Sequence, residues 1–208
     1  LERLQDRLPR LERVTAYATP MNLARKSVEE LSSLRALGLS MIYLGAESGD
    51  DEVLERIDKG CTSAQMIEWC SKPHAAGIDL SITVILGLAG PRLSRRHAEE
   101  TARVLDAIGP RYASALTLMI EPREPMFEEA YGDPSWRLLS PLEILAECRH
   151  MLAAMNGDGV MFHANHASNY LPLAGQLQQD KKRLLASIDG VLDDPENARL
   201  RPDFMRGL

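Results

Sequence analysis

Ile42-Tyr43-Leu44-Gly45-Ala46-Glu47-Ser48-Gly49-Asp50-Asp51 opens as an apolar run long enough only for a strand, then breaks into small and acidic residues. A carboxylate directly after such a strand is poorly solvated unless it meets a partner. Glu47 is therefore a candidate ligand contact or one half of a salt bridge, with Arg56 or Lys59 as the other half. Asp50 or Asp51 next caps a short helix carrying Val53, Leu54 and Ile57, which ends near Gly60. Strand, loop and helix follow one another within about twenty residues, and the same unit recurs on both sides.

Upstream, Leu1, Leu4, Leu8 and Leu11 mark a helical stripe over residues 1–11, and residues 13–19 form a strand closed by Pro20. Ser27 with Glu30 makes a capping box for a helix carrying Val28, Leu31, Leu34 and Leu37, stopped by Gly38. Downstream, Thr62 with Gln65 caps a helix carrying Met66, Ile67 and Cys70, which Pro73 should kink or end early. Residues 79–86 are the clearest β-rich run. Ser94 caps a helix through Val104, Leu105 and Ile108, with Gly109-Pro110 as the stop. A strand over 114–120 follows, then a helix opened by Ser140, Pro141 and Glu143, a strand over 159–164 and a helix over 180–192.

Short apolar strands alternating with helices indicate parallel βαβ units. No Gly-x-Gly-x-x-Gly follows the first strand, so a nucleotide-binding doubly wound sheet has no support. Five units are too few to close an eight-stranded barrel. The expected fold class is α/β, an incomplete (β/α) barrel of parallel strands alternating with helices, truncated on its N-terminal side. Residues 1–192 would form this portion with its C-terminal extension, and 193–208 a polar, loose tail.

Composition agrees and narrows the function. Lys and Arg number 24 against 30 Asp and Glu, a net charge of −6, with the two signs interleaved. Nucleic acid or an anionic membrane as main partner needs concentrated Lys and Arg, which argues against both. The longest nearly apolar run, 82–90, is far short of the roughly 20 residues that span a bilayer. Cys61, Cys70 and Cys148 are scattered and odd in number, which suits free thiols in a reducing cytoplasm. Residue 1 is Leu, with no targeting signature around it, and the simplest expectation is a piece of a longer protein.

In parallel α/β architectures ligands bind at the carboxyl ends of strands. The first strand ends in Tyr17-Ala18-Thr19-Pro20 with Asn22 close by, and the second in Gly45 through Asp50. The third ends in Ile85-Leu86-Gly87-Leu88-Ala89-Gly90, and the fourth in Glu121-Pro122-Arg123-Glu124-Pro125. The fifth ends in His163-Ala164-Asn165-His166-Ala167-Ser168-Asn169-Tyr170. Each has a structural alternative: Asp50 as a helix cap, Gly87 and Gly90 as turn residues, and the histidine-rich run as a hydrogen-bonded loop. Two His three apart also suggest metal, but no third ligand of suitable spacing accompanies them.

Taken in order, these motifs resemble the radical S-adenosylmethionine (SAM) superfamily. Tyr17-Ala18-Thr19-Pro20, Ile42 through Asp51, and Thr83-Val84-Ile85-Leu86-Gly87-Leu88-Ala89-Gly90 look like its third, fourth and fifth core strands, and Ser114 through Met119 like its sixth. Asn165-His166-Ala167-Ser168-Asn169-Tyr170-Leu171-Pro172-Leu173 is similar to the tail of a single-domain group of Fe–S oxidoreductase-like members. The likeness runs over nearly all of residues 12–192, and Gly-x-Glu-Ser-Gly-Asp is its most specific part.

The resemblance implies a radical SAM partial barrel in which a 4Fe–4S cluster reduces S-adenosylmethionine and the resulting 5′-deoxyadenosyl radical takes hydrogen from a substrate. Carried over by residue, Gly45, Glu47 and Ser48 would lie at the ribose hydroxyls, and Thr83, Ile85 and Gly87 along the adenine. Tyr17, Thr19, Asn22, His163, Asn165, His166 and Asn169 would face the substrate, a small molecule or a macromolecule. An electron donor such as flavodoxin or ferredoxin is implied too. The family's Cys-x3-Cys-x2-Cys motif does not occur, and eight residues separate Cys61 from Cys70. The cluster ligands are expected upstream, so this chain alone should bind neither cluster nor cofactor, should be inactive, and should self-associate through an unpaired strand edge. Pro91-Arg92 after Gly90 and Pro122-Arg123-Glu124-Pro125 depart from the usual Gly-Glu and Pro-Gly-Thr-Pro, both on the substrate side. Two other readings compete: a non-catalytic binding or scaffold module on the same fold, and a barrel lyase or aldolase with Glu47 as base. The last would need a nucleophilic Lys or metal ligands at strand ends, and none appears.

Overall fold

A computed structural model describes residues 1–208 except 9, 121–131, 133, 134 and 208. The loop 121–125 after the fourth strand thus lies outside the described residues. Six strands form one sheet in the order β1-β2-β3-β4-β5-β6: β1 (Val14–Ala18), β2 (Leu39–Glu47), β3 (Asp79–Leu86), β4 (Tyr112–Thr117), β5 (Met161–Ala164) and β6 (Leu173–Gln176). The first five run parallel, as the alternation of strand and helix requires, while β6 is antiparallel to β5. That sixth strand was not expected. It has four residues and follows β5 without an intervening helix, so neither length nor periodicity betrays it.

Period-2 alternation assigns the two faces. Leu44, Ala46, Leu80, Ile82, Val84, Leu86, Ala113, Ala115, Phe162 and Ala164 join the core beneath the helices. These helices are α2 (Pro20–Ala24), α3 (Val28–Ala36), α4 (Asp51–Arg56), α5 (Ser63–Ala75), α6 (Gly90–Ile108), α7 (Pro141–Ala154) and α8 (Leu177–Asp193). Residues between them in the strands, among them Tyr43, Gly45, Thr83, Tyr112, Ser114 and His163, occupy the opposite face and are half-buried. The helices α3, α5 and α7 begin at the expected capping boxes, and Thr19 with Asn22 forms one more ahead of α2.

Four local expectations are corrected. The N-terminal helix α1 covers only Glu2–Arg7, and Leu4, Leu8 and Leu11 remain exposed. Pro73 does not shorten α5. It sits in the last turn, where the cost of a proline is one hydrogen bond, and its carbonyl accepts from Ile78 N at 2.9 Å. α6 begins at Gly90 with Pro91 in its first turn and no side-chain cap, four residues before Ser94. The stretch after Asp193, expected loose, is fastened down. Arg201 donates through Nη1 to the carbonyls of His166, Ala167 and Asn169, and Arg206 stacks on the Tyr170 ring at 3.9 Å. Among the described residues no helix is long and apolar enough to cross a membrane.

Candidate functional site

At the carboxyl end of β2 the register with β3 runs Gly45↔Thr83 and then Glu47↔Val84, so Ala46 is skipped and the strand bulges. Glu47 takes a left-handed backbone, φ 64°, a conformation that costs a non-glycine residue roughly 1–2 kcal/mol. The bulge turns its carboxylate back over Gly45, where an added Cβ would fall 2.1 Å from Glu47 Oε1. Gly45 is thus the residue that makes room for this acid. Of the two basic partners weighed from sequence, Lys59 is the one that meets it, donating to Oε1 at 3.0 Å, while Arg56 pairs with Glu52. A carboxylate offers about four lone-pair sites, and this ion pair uses one.

Beside Glu47, the loop 48–50 is tied to α6. Ser48 is fully buried, and its hydroxyl meets His97 Nδ1 at 2.8 Å while accepting from Asp50 N at 3.0 Å. His97 Nε2 lies 3.1 Å from the carbonyl of Ile85, which can only accept, so Nε2–H is the donor there and Nδ1 is left for the Ser48 hydroxyl. Asp50 caps α4 by accepting from Val53 N and takes a two-pronged contact from Arg96. Burial pushes the Asp50 carboxyl up, but the Arg96 and Val53 hydrogen bonds outweigh it and hold it below the usual carboxylate range.

The end of β3 is fixed similarly. Gly87 adopts φ 83°, a backbone that calls for glycine. Its N–H donates to Glu147 Oε1 at 2.7 Å, and Ser94 donates to the other oxygen. Glu147 is 1% exposed, and desolvation pushes its carboxyl up against the pull of His97, whose Nε2 is 3.7 Å away. Neither His97 nor Glu147 was singled out from sequence, although a signal exists. Each interrupts an apolar helical stripe, His97 between Leu93 and Val104, Glu147 between Ile144 and Met151.

The remaining expected site residues divide. Register sets Gly45, Thr83, Ser114 and His163 side by side across the half-buried face, with the His163 ring 5.8 Å from that of Tyr112. Tyr17 pairs with Tyr43 at 5.4 Å on the same face and is 90% exposed at the sheet edge. Asn165 is exposed just past β5. The Thr19 hydroxyl and the Asn22 side-chain oxygen are engaged with each other and with the backbone in the α2 capping box. His166 Nδ1 is engaged by the hydroxyl and N–H of Ser168. Asn169 is buried, with its amide donating to Ala115 O and accepting from Thr117 Oγ1, both at 2.9 Å. The histidine-rich run is therefore a hydrogen-bonded loop, from which Asn169 reaches no open space.

The cysteines do not converge. Cys70 and Cys148 are buried in the core, which pushes each thiol up to about 12. Among the described residues no group of three His, Cys, Asp or Glu is placed to hold a metal ion.

The chain is similar to several solved structures of low identity. The archaeal Methanocaldococcus infernus Elp3 with an N-terminal deletion matches with TM-score 0.60 and 11% identity, over 90% of this chain and 43% of that one. Methylornithine synthase (PylB) matches with TM-score 0.51 and 15% identity, over 96% and 63%. Coproporphyrinogen III oxidase from Escherichia coli, described as a radical SAM enzyme, matches with TM-score 0.50 and 19% identity, over 68% and 32%. The chain spans less than two thirds of the length of each. At these identities the likeness carries the fold, an open and mostly parallel α/β sheet of the partial-barrel kind. No protein of curated function matches. The Radical SAM superfamily model matches residues 1–105, half of the chain, and with the bulged Gly45–Glu47 strand end inside that span the chain belongs to the radical SAM superfamily.

Proposed function

We propose that this chain forms the S-adenosylmethionine side of a radical SAM enzyme, with Glu47 as the acceptor for the ribose hydroxyls. The observation that carries the reading is the strained bulge that lifts the Glu47 carboxylate over Gly45 at the carboxyl end of β2. Non-glycine strain of this kind persists where surrounding structure imposes it, and it concentrates at ligand-binding positions.

The residues fit a nucleoside. A carboxylate is an acceptor-only group suited to two hydroxyl donors, and the pairing of Glu47 with Lys59 leaves lone pairs unspent. Thr83 lies beside Gly45 in register, and the backbone of Ile85 through Gly87 forms the neighbouring edge on which a flat base would rest. Ser48, buried and engaged by His97, holds the loop in place rather than meeting the ligand. Tyr43, Ser114 and His163 line the adjoining face and are the groups a substrate would meet; of the more distant residues expected there, Asn165 stays a substrate contact in this reading. The residues do not fit a 4Fe–4S cluster, since the three thiols are dispersed and two are buried, so its ligands fall to residues outside this chain. S-adenosylmethionine, when bound, would supply radical hydrogen-transfer chemistry. The chain's own part is to bind and orient the nucleoside and keep water from it.

Calorimetric titration of the cluster-loaded holoenzyme with S-adenosylmethionine tests the assignment. Charge-assisted hydrogen bonds worth roughly 1.5–3 kcal/mol are lost in Glu47→Gln, which weakens binding on the order of ten- to a hundredfold. Lys59→Met removes the ion pair but leaves the carboxylate, and should keep affinity within a few-fold. Wild-type affinity in Glu47→Gln sinks the ribose assignment, whatever a thermal melt of the same sample shows.

A further inference from the structure

Two segments, 45–50 at the end of β2 and 85–90 at the end of β3, are joined from the helix side of the sheet by a buried pair. His97 on α6 reaches Ser48 Oγ with one ring nitrogen and the Ile85 carbonyl with the other. Glu147 on α7 takes the N–H of Gly87 on Oε1 and the hydroxyl of Ser94, at the head of α6, on Oε2. The two side chains are 2% and 0% exposed and stand 3.7 Å apart. A buried carboxylate is costly unless its partners satisfy it, and replacing it with an apolar residue would relieve that cost. An unbroken chain of polar contacts, Asp50 N–Ser48–His97–Ile85 O with Glu147–Gly87 N beside it, is more than either helix needs for packing on the sheet.

We propose that His97 and Glu147 are positioning residues that set the spacing between the ribose loop and the adenine edge, so that binding geometry depends on two side chains that never meet the cofactor. Buried polar networks have discrete arrangements and fix backbone more sharply than apolar contacts do. Here the network reaches one loop through a hydroxyl and the other through a glycine N–H, and each loop loses its anchor if its partner is removed. The inference rests on the nucleoside site proposed above.

Amide hydrogen exchange, read by mass spectrometry on the holoenzyme, tests the clamp in peptides covering 45–54 and 85–93. His97→Ala should speed exchange in both, and Glu147→Ala chiefly in the second and less in the first. Leu152→Ala on α7, a core change lowering the melting temperature comparably, is the control for simple destabilisation. S-adenosylmethionine affinity should fall about tenfold in the two alanine variants and stay near wild type in Leu152→Ala. Glu147→Gln keeps an acceptor for Gly87 N and a donor for Ser94, and should restore both exchange and affinity. Ser94→Ala cuts one tie without emptying the core, and should loosen 85–93 alone, which serves if the other variants fold poorly. Exchange in the two peptides no faster than in the Leu152→Ala control overturns the clamp. So do loosened loops with unchanged affinity, or a Glu147→Gln variant as impaired as Glu147→Ala. If the wild-type holoenzyme binds no S-adenosylmethionine, the nucleoside reading fails, and the exchange data alone then decide whether the pair joins the two loops.

Discussion

Glu47 shows how one residue can carry backbone strain and an ion pair together. Its carboxylate type and its place after an apolar strand were legible, as was Lys59 as one of two partners. The left-handed backbone was not, because nothing in a side-chain pattern announces a bulge at a residue that is neither Gly nor Asn. The inward turn of Ser48 and Asn169 is hidden for a related reason: both stand beside strand ends, and each is hydrogen-bonded to α6 or β4. The cysteines give a residue-scale prediction. Only thiolate attacks an alkylating reagent, and burial pushes Cys70 and Cys148 up to about 12, whereas Cys61 is half-buried and raised less far. Brief treatment of the native protein with iodoacetamide near pH 8, followed by peptide mapping, should label Cys61 first and leave the other two until denaturant is added. Equal labelling of all three in the native state contradicts this burial.

Elements were easiest to read where side chains cap them. Ser27 with Glu30, Thr62 with Gln65 and Ser140 with Glu143 each close a reciprocal box, so three helix starts fall where expected. α6 has Ala89 at its N-cap and offers no such mark, which is why Ser94 drew the boundary inward. The 193–208 stretch was misread because its charge suggested solvent, while its function in the fold is to hold the loop after β5. Arg201 donates to three carbonyls of that loop from a single nitrogen, and its own N–H donates to Tyr170 O at 2.8 Å. Hydrogen bonds from a charged group are worth roughly 1.5–3 kcal/mol, and two of the carbonyls left behind, those of His166 and Asn169, are partly buried. Arg201→Ala should therefore cost about 2 kcal/mol and lower the melting temperature by roughly 4–8 °C, read by calorimetry. A change under about 1 °C would mean that solvent replaces the guanidinium without penalty.

At the scale of the molecule, the sheet has two unlike edges. β6, antiparallel to β5, forms one and leads directly into α8, whose Asp180 and Arg183 side chains take up Gln176 N and Ala174 O on it. β1 forms the other. Among the described residues it pairs with β2 on one side only, and Tyr17 on it is 90% exposed. An edge strand of five residues presents unpaired N–H and C=O groups in a row, the template on which a second strand adds. Natural edges are blunted by charge or proline, and Val14-Thr15-Ala16-Tyr17-Ala18 carries neither. The net charge of −6 opposes association only over about a Debye length, near 8 Å at physiological salt, so it restrains aggregation without protecting a backbone edge at contact. Sedimentation of this chain should show reversible self-association that grows with concentration and with salt. Thr15→Lys, which places a charge on the exposed face of β1 without touching the core, should shift the equilibrium toward monomer while leaving the melting temperature within about 2 °C. A wild-type chain that stays monomeric at high concentration, or a Thr15→Lys variant that associates as strongly, would show that this edge is not where copies meet.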